Sequence, residues 1–201
     1  MKRIKEYSDN FLEYTNITPT ISKEKNYDKL IIGNITKERK ISLIFNTNDI
    51  NSIKQIAYIL KENNACATFY IDGKIVNENI TELKKIFQDN TYIGLYSYNN
   101  IFNIVSTKYI KNLLSKNFNY SNYCLYKDEK FLKACQYFRI NTIKPKKIEK
   151  NLYNYIKKDK KRGLIYEIEV NDNNIKQLNS TLIYLKQKGY QIISLDSLLK
   201  E

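Results

Sequence analysis

Short apolar runs alternate with amphipathic stretches of helical period along most of the chain. Ile41-Ser-Leu-Ile-Phe45 has the length and branching of a strand. After it, Ile53, Ile56, Ala57 and Leu60 recur at i, i+3, i+4 and i+7, one face of a helix. Cys66-Ala-Thr-Phe-Tyr-Ile71 predicts a second buried strand, and Ile80, Leu83 and Phe87 mark the next helix. Tyr92-Ile-Gly-Leu95 predicts a short strand, and Tyr109, Leu113 and Leu114 the helix behind it. Phe131, Leu132 and Cys135 continue the alternation, followed by a strand over Arg139–Ile143. In the C-terminal third, Gly163–Ile168 predicts a strand. Ile175, Leu178, Leu182 and Leu185 predict a helix that Gly189 terminates, and Gln191–Leu195 a last strand. Roughly seven strand–helix units imply an α/β fold with a parallel sheet, open or closed into a barrel. Residues 1–27 are polar and poorly periodic, an N-terminal arm; residues 28–201 form the domain.

Composition narrows the chemistry. The chain of 201 residues contains no histidine. That excludes mechanisms built on an imidazole base or an imidazole metal ligand. Lys and Arg number 34 against 21 Asp and Glu, a net charge of +13, which favours polyanionic surroundings. No run of about 18 apolar residues is present to span a membrane, and the N-terminus lacks the apolar core of an export signal. Cys66, Cys124 and Cys135 are odd in number and widely spaced. We expect plain core or half-buried thiols, with neither a disulfide framework nor a zinc site. Unpaired thiols suit a reducing compartment.

Five segments, Asn26–Asp49, Asn63–Gly73, Tyr92–Asn100, Gly163–Glu169 and Lys188–Leu198, stand in an order that resembles the polysaccharide deacetylase (NodB-homology) family of carbohydrate esterases. In look it is closest to the sporulation branch that de-N-acetylates muramic acid in peptidoglycan. Asn26–Asp49, NYDKLIIGNITKERKISLIFNTND, is similar to the family opening "YD…GNT…K.IYLTFDAG". Asn63–Gly73 is similar to "ATFFVTG", and Tyr92–Asn100 to "IGNHTYSH". Gly163–Glu169 is similar to "GxIILLH", and Lys188–Leu198 to "KGYxFVSLDEL". The resemblance implies a distorted (β/α) barrel, complete or incomplete, with a groove at the C-terminal ends of its strands. It also implies an extracytoplasmic place in the cell envelope or spore, although the chain shows no export segment.

The family chemistry is metal-assisted amide hydrolysis, and each of its positions is altered here. The base Asp falls on Asn46 and the metal-binding Asp on Thr47. The two metal-binding His fall on Tyr96 and Asn100, and the acid His on Glu169. An amide, a hydroxyl and a phenol replace neither a carboxylate base nor two imidazoles. The family's Arg-Pro-Pro and Asp-Trp motifs have no counterpart. We expect zinc binding and deacetylation to be lost, with no other cofactor.

Three functions remain from this reading. The first is a catalytically inactive deacetylase-like domain that binds cell-wall or spore glycan or scaffolds a partner protein. Its groove would be lined by Asn46, Asn48, Asp72, Tyr96, Tyr98, Asn100 and Glu169, using the aromatic and amide groups of a chain with 18 Tyr and 8 Phe. The second is a divergent carbohydrate hydrolase using Glu169 with Asp72; Asp49 is the other carboxylate near the mouth. The third is a polyanion or nucleic-acid binder. It would use the basic run Lys144, Lys146, Lys147, Lys157, Lys158, Lys160, Lys161 and Arg162, where the alternative is a solvated helix face.

Overall fold

The computed structural model describes residues 27, 29–34, 38–87 and 91–200. The arm expected over residues 1–27 therefore lies outside the described residues except for Tyr27. Nine strands and eight helices are present among the described residues. In chain order they are β1 (Leu30–Ile31), β2 (Lys40–Asn46), α1 (Ile50–Glu62), β3 (Ala67–Tyr70), α2 (Gly73–Glu78), α3 (Ile80–Ile86), β4 (Thr91–Leu95) and α4 (Ile104–Asn117). They continue with β5 (Tyr120–Leu125), α5 (Glu129–Tyr137), β6 (Asn141–Ile143), β7 (Lys146–Ile148), α6 (Leu152–Asp159), β8 (Ile165–Ile168), α7 (Asp172–Gln187), β9 (Gln191–Ile192) and α8 (Leu195–Leu199).

Polar side chains set the helix starts. Asp49 caps α1 by accepting from the Asn51 and Ser52 amides, and Asn103 and Ser106 form a reciprocal capping box on α4. Asp128 caps α5 and Asn171 caps α7. Gly189, with φ of +74°, stands just beyond α7, where a left-handed residue ends the helix.

All strand pairings are parallel, in the order β1-β6-β5-β4-β3-β2-β8-β7, with β9 joining β2. The two end strands, β1 and β7, do not pair with each other among the described residues, so the (β/α) barrel is open between them. A single antiparallel bridge from Gly33 to Leu164 crosses nearby.

Alternation along the strands makes two apolar cores. The larger lies between sheet and helices. There Ile41, Leu43 and Phe45 of β2, Phe69 of β3 and Leu95 of β4 meet Ile53, Ile56, Leu178 and Leu182 of the helices. The smaller fills the barrel interior with Ile44, Tyr70, Leu125, Ile143 and Ile165, plugged by Leu195 and Leu198 of α8. The period-2 rule then fixes which residues face the interior above this plug: Asn46 follows Ile44, and Glu167 and Glu169 follow Ile165. Gly94 is required here, because a Cβ at that position would overlap the Tyr70 ring.

Several expectations are corrected. Cys124 and Cys135 form a disulfide, with Cα atoms 6.5 Å apart, and only Cys66 is free. Cys124 is the penultimate residue of β5, on its helix-facing side, and Cys135 lies on the buried face of α5 that covers it, so sequence spacing concealed a close approach. The run Gln191–Leu195 is a strand only to Ile192, because Ser194 caps α8. The strand expected from Arg139 begins at Asn141; Arg139 has φ of +55°, outside the extended region. No helix among the described residues is long and apolar enough to cross a membrane.

Candidate functional site

The four residues after the core of β2 turn from strand to helix at the barrel mouth. Asn46 ends β2 on the inner face, half-buried, with no side-chain partner among the described residues. The Thr47 amide donates to the Tyr70 carbonyl at 3.2 Å, and its hydroxyl accepts from the Asp49 amide at 3.2 Å. Asn48 is turned toward β3, its Oδ1 accepting from the Asp72 amide at 2.8 Å. The Asp49 carboxylate accepts from the Ser52 hydroxyl at 2.6 Å and from the Asn51 and Ser52 amides. The Ser52 bonds hold it below the usual carboxylate range. It serves α1 and leaves the mouth.

Asp72, just past β3, is buried. Its Oδ1 accepts from the Lys74 and Asn99 amides at 2.9 and 2.8 Å. Its Oδ2 accepts from the Ser97 hydroxyl and from the Asn100 amide, the latter at 2.9 Å. Four donors occupy the lone-pair sites of an ionised carboxylate. Burial would raise its pKa, but the bonds from Asn100, Ser97, Lys74 and Asn99 outweigh it and hold the group below the ordinary range. Asp72 is thus the clasp of the Tyr96–Asn100 loop, with nothing left for a ligand or a proton transfer.

That loop separates its two tyrosines. Tyr96 continues the inner face of β4 and meets Tyr70, Phe102 and Phe131 edge-to-face, with ring centroids 6.5, 5.2 and 6.5 Å away. Its half-exposed ring closes one side of the mouth. Tyr98 points the other way: its ring contacts Tyr109 at 4.7 Å and lies where a side chain on Gly73 would stand. It belongs to the helix layer rather than the groove. Asn99 and Asn100 adopt φ of 52° and 58°, the left-handed region that asparagine tolerates, and Asn100 is exposed.

Across the mouth, β7 and β8 bring up the charged groups. Lys147 pairs with Glu169 at 3.4 Å and with Glu149 at 3.8 Å. Register places Lys147 beside Glu167, and Glu167 beside Ile44 of β2. Glu167 has no hydrogen bond or ion pair within bonding distance among the described residues. Burial pushes its carboxyl up, with Lys147 opposing and Glu169 adding to the rise. Sequence reading singled out Glu169 and missed Glu167; the signal was the alternation Ile165, Glu167, Glu169 on one face of a strand already recognised.

The basic run divides. Lys146 and Lys147 face opposite sides of β7, and Lys146 is held by Asp159 at 2.5 Å. Lys144 stands over the Tyr126 ring at 5.3 Å and Lys160 over Tyr184 at 5.1 Å. Lys157 and Lys158 occupy the last turn of α6, where cations suit the helix dipole. Lys161 and Arg162 follow, exposed, before β8. Lys144, Lys146 and Lys160 thus each engage a neighbouring ring or carboxylate.

The family's divalent ion does not fit these residues. Thr47 offers a neutral hydroxyl already bonded to Asp49, Tyr96 a ring packed among aromatics, and Asn100 a solvent-facing amide. Among the described residues no three His, Cys, Asp or Glu side chains converge as metal ligands. What remains at the mouth is the Tyr96 phenol, the amides of Asn46 and Asn100, and the Glu167–Lys147–Glu169 trio. This set can hydrogen-bond hydroxyls and present an aromatic face, and Asn46 supplies no base.

Solved structures share this fold. The pseudoenzyme BA3943 of Bacillus anthracis, a family 4 carbohydrate esterase relative, superposes with a TM-score of 0.71 at 17% identity, covering 97% of this chain and 81% of that one. PdaA of Bacillus subtilis, a family 4 carbohydrate esterase, superposes with a TM-score of 0.72 at 22% identity, covering 87% of each chain. A BA3943 mutant with restored enzymatic activity shares the fold at 16% identity and a TM-score of 0.72, covering 97% of this chain and 84% of that one. No curated protein matches by sequence. The sequence profile described as polysaccharide deacetylase matches residues 33–139, more than half of the chain. The chain therefore belongs to the polysaccharide deacetylase family.

Proposed function

We propose that this domain is a non-catalytic member of its family that binds peptidoglycan-type glycan at the barrel mouth. The observation that carries the proposal is the Asp72 clasp, which keeps the Tyr96–Asn100 loop shaped; the resemblance assigns Thr47, Tyr96 and Asn100 to the metal-ligand positions. An ordered mouth without a base or metal ligands recognises without cutting. Related folds support the glycan class, because one neighbour is a peptidoglycan N-acetylglucosamine deacetylase and another is described as a pseudoenzyme. The similarity of the opening segment to the sporulation branch favours spore or cell-wall peptidoglycan and a place in the envelope.

Co-sedimentation with peptidoglycan sacculi at low and high salt tests this. We expect retention that survives high salt and drops about tenfold on Tyr96→Ala, with Tyr96→Phe intermediate. Retention lost with salt, or unchanged in Tyr96→Ala, overturns the proposal.

A second function has one specific observation behind it: Glu167 is half-buried beside Glu169 with no hydrogen-bond or ion-pair partner among the described residues, and burial pushes its carboxyl above the ordinary range. A divergent hydrolase would use it as acid. Turnover of N-acetylglucosamine oligomers that Glu167→Gln abolishes would establish that function in place of the first.

A further inference from the structure

A separate depression lies on the outer flank of the barrel, between α1 and α3 and toward the N-terminal ends of β3 and β4. It encloses about 410 Å³, at the small end of the range for ligand pockets. Lys54, Tyr58 and Lys61 stand on its rim at i, i+4 and i+7, one stripe of α1. Lys85 faces them from α3, and Leu60 and Ile86 line the apolar part. Lys54 is balanced by Glu82 across the rim. Lys61 and Lys85 have no hydrogen-bond or ion-pair partner among the described residues. Tyr58 is 65% exposed, leaving an aromatic face in solvent beside two uncompensated ammonium groups.

We propose that this pocket binds a phosphorylated sugar or polyol unit of a phosphodiester polymer. Lysines approach from both walls, beside the polar Asn64 and Thr91, and no arginine is among the described lining residues. A carboxylate is read best by the planar fork of arginine, whereas ammonium groups around a hollow suit a tetrahedral phosphate. The volume admits one polyol or sugar unit, with the Tyr58 ring against its carbon face. Single-stranded nucleic acid binders instead stack successive bases on several aromatic side chains; this pocket has one. The site is distinct from the mouth, so it neither requires nor supports glycan recognition there.

The test is titration of a fluorescently labelled poly(ribitol phosphate) oligomer into the full chain at moderate salt. We expect binding that weakens at least tenfold in the Lys61→Gln/Lys85→Gln double variant and about fivefold in Tyr58→Ala. All three positions are exposed, so melting temperatures should stay unchanged, and Tyr96→Ala should bind the polymer like the parent. The proposal fails if the pocket variants bind like the parent. It also fails if polyglutamate or poly(U) RNA binds as tightly as the phosphate polymer.

Discussion

The Asp72 carboxylate accepts from the backbone amide of Asn100 at 2.9 Å, so an acid just past β3 holds the loop that follows β4. The local shape of the mouth thus rests in part on this carboxylate. Asp72→Ala leaves the Lys74, Asn99 and Asn100 amides and the Ser97 hydroxyl without their acceptor. We expect a loss of about 3 kcal/mol, read by urea unfolding. Because the folded pKa is depressed, the Asp72 contribution is complete above the unfolded carboxylate pKa, roughly 4. It disappears as pH falls through the lower folded value. The parent should therefore lose more stability than Asp72→Asn on acidification, and equal losses would refute the clasp.

The Cys124–Cys135 disulfide closes a loop of 11 residues between β5 and α5. A loop of that size stabilises by about 2–3 kcal/mol. Thermal unfolding with and without reductant should show this difference, and Cys124→Ser/Cys135→Ser should match the reduced parent. Thiol labelling of the unreduced, denatured protein should modify only Cys66.

Glu167 gives the opposite sign to Asp72. Burial raises its folded pKa, so folding is opposed by its ionisation, and stability falls as pH rises from the unfolded pKa through the folded one. Glu167→Gln should stabilise the protein at neutral pH, by under about 1 kcal/mol, and leave it unchanged at pH 4. Urea midpoints at the two pH values decide the matter. A destabilised Glu167→Gln would mean that the carboxylate has a partner in the fold.

Restoring the missing ligands should restore the missing chemistry in stages. Thr47→Asp/Tyr96→His/Asn100→His is expected to acquire zinc affinity, measurable by titration against a chromogenic chelator, at a cost of about 2 kcal/mol for the emptied aromatic cluster. The parent should not compete with the chelator. Adding Asn46→Asp should be required before any deacetylation is detected. Zinc binding by the parent at the same affinity would show that the ligand positions were misassigned.

Legibility in the sequence followed the strength of local signals. Ile41–Phe45 and the Ile53-Ile56-Ala57-Leu60 stripe show clean periodicity, and both elements appear where the spacing places them. The last helix, α8, was hidden because Leu195 and Leu198 read equally as strand residues; only the Ser194 cap distinguishes them. The disulfide was hidden because its partners meet through packing of α5 on β5. At the mouth, sequence could name Asn46, Tyr96, Asn100 and Glu169, but not the direction of each side chain. Asn48 and Asp72 turned out to bond the turns that carry them, and Tyr98 to face α4. Such local bonds depend on backbone angles that one sequence does not reveal.

The two cores give the fold a division of labour. Residues of the sheet that face the helices carry most of the buried apolar surface, whereas those at the mouth carry little of it. Substitutions of mouth residues that bear no packing, such as Asn46 and Asn100, thus leave this apolar surface intact. In such an architecture the residues at the mouth can change identity while the scaffold beneath them persists.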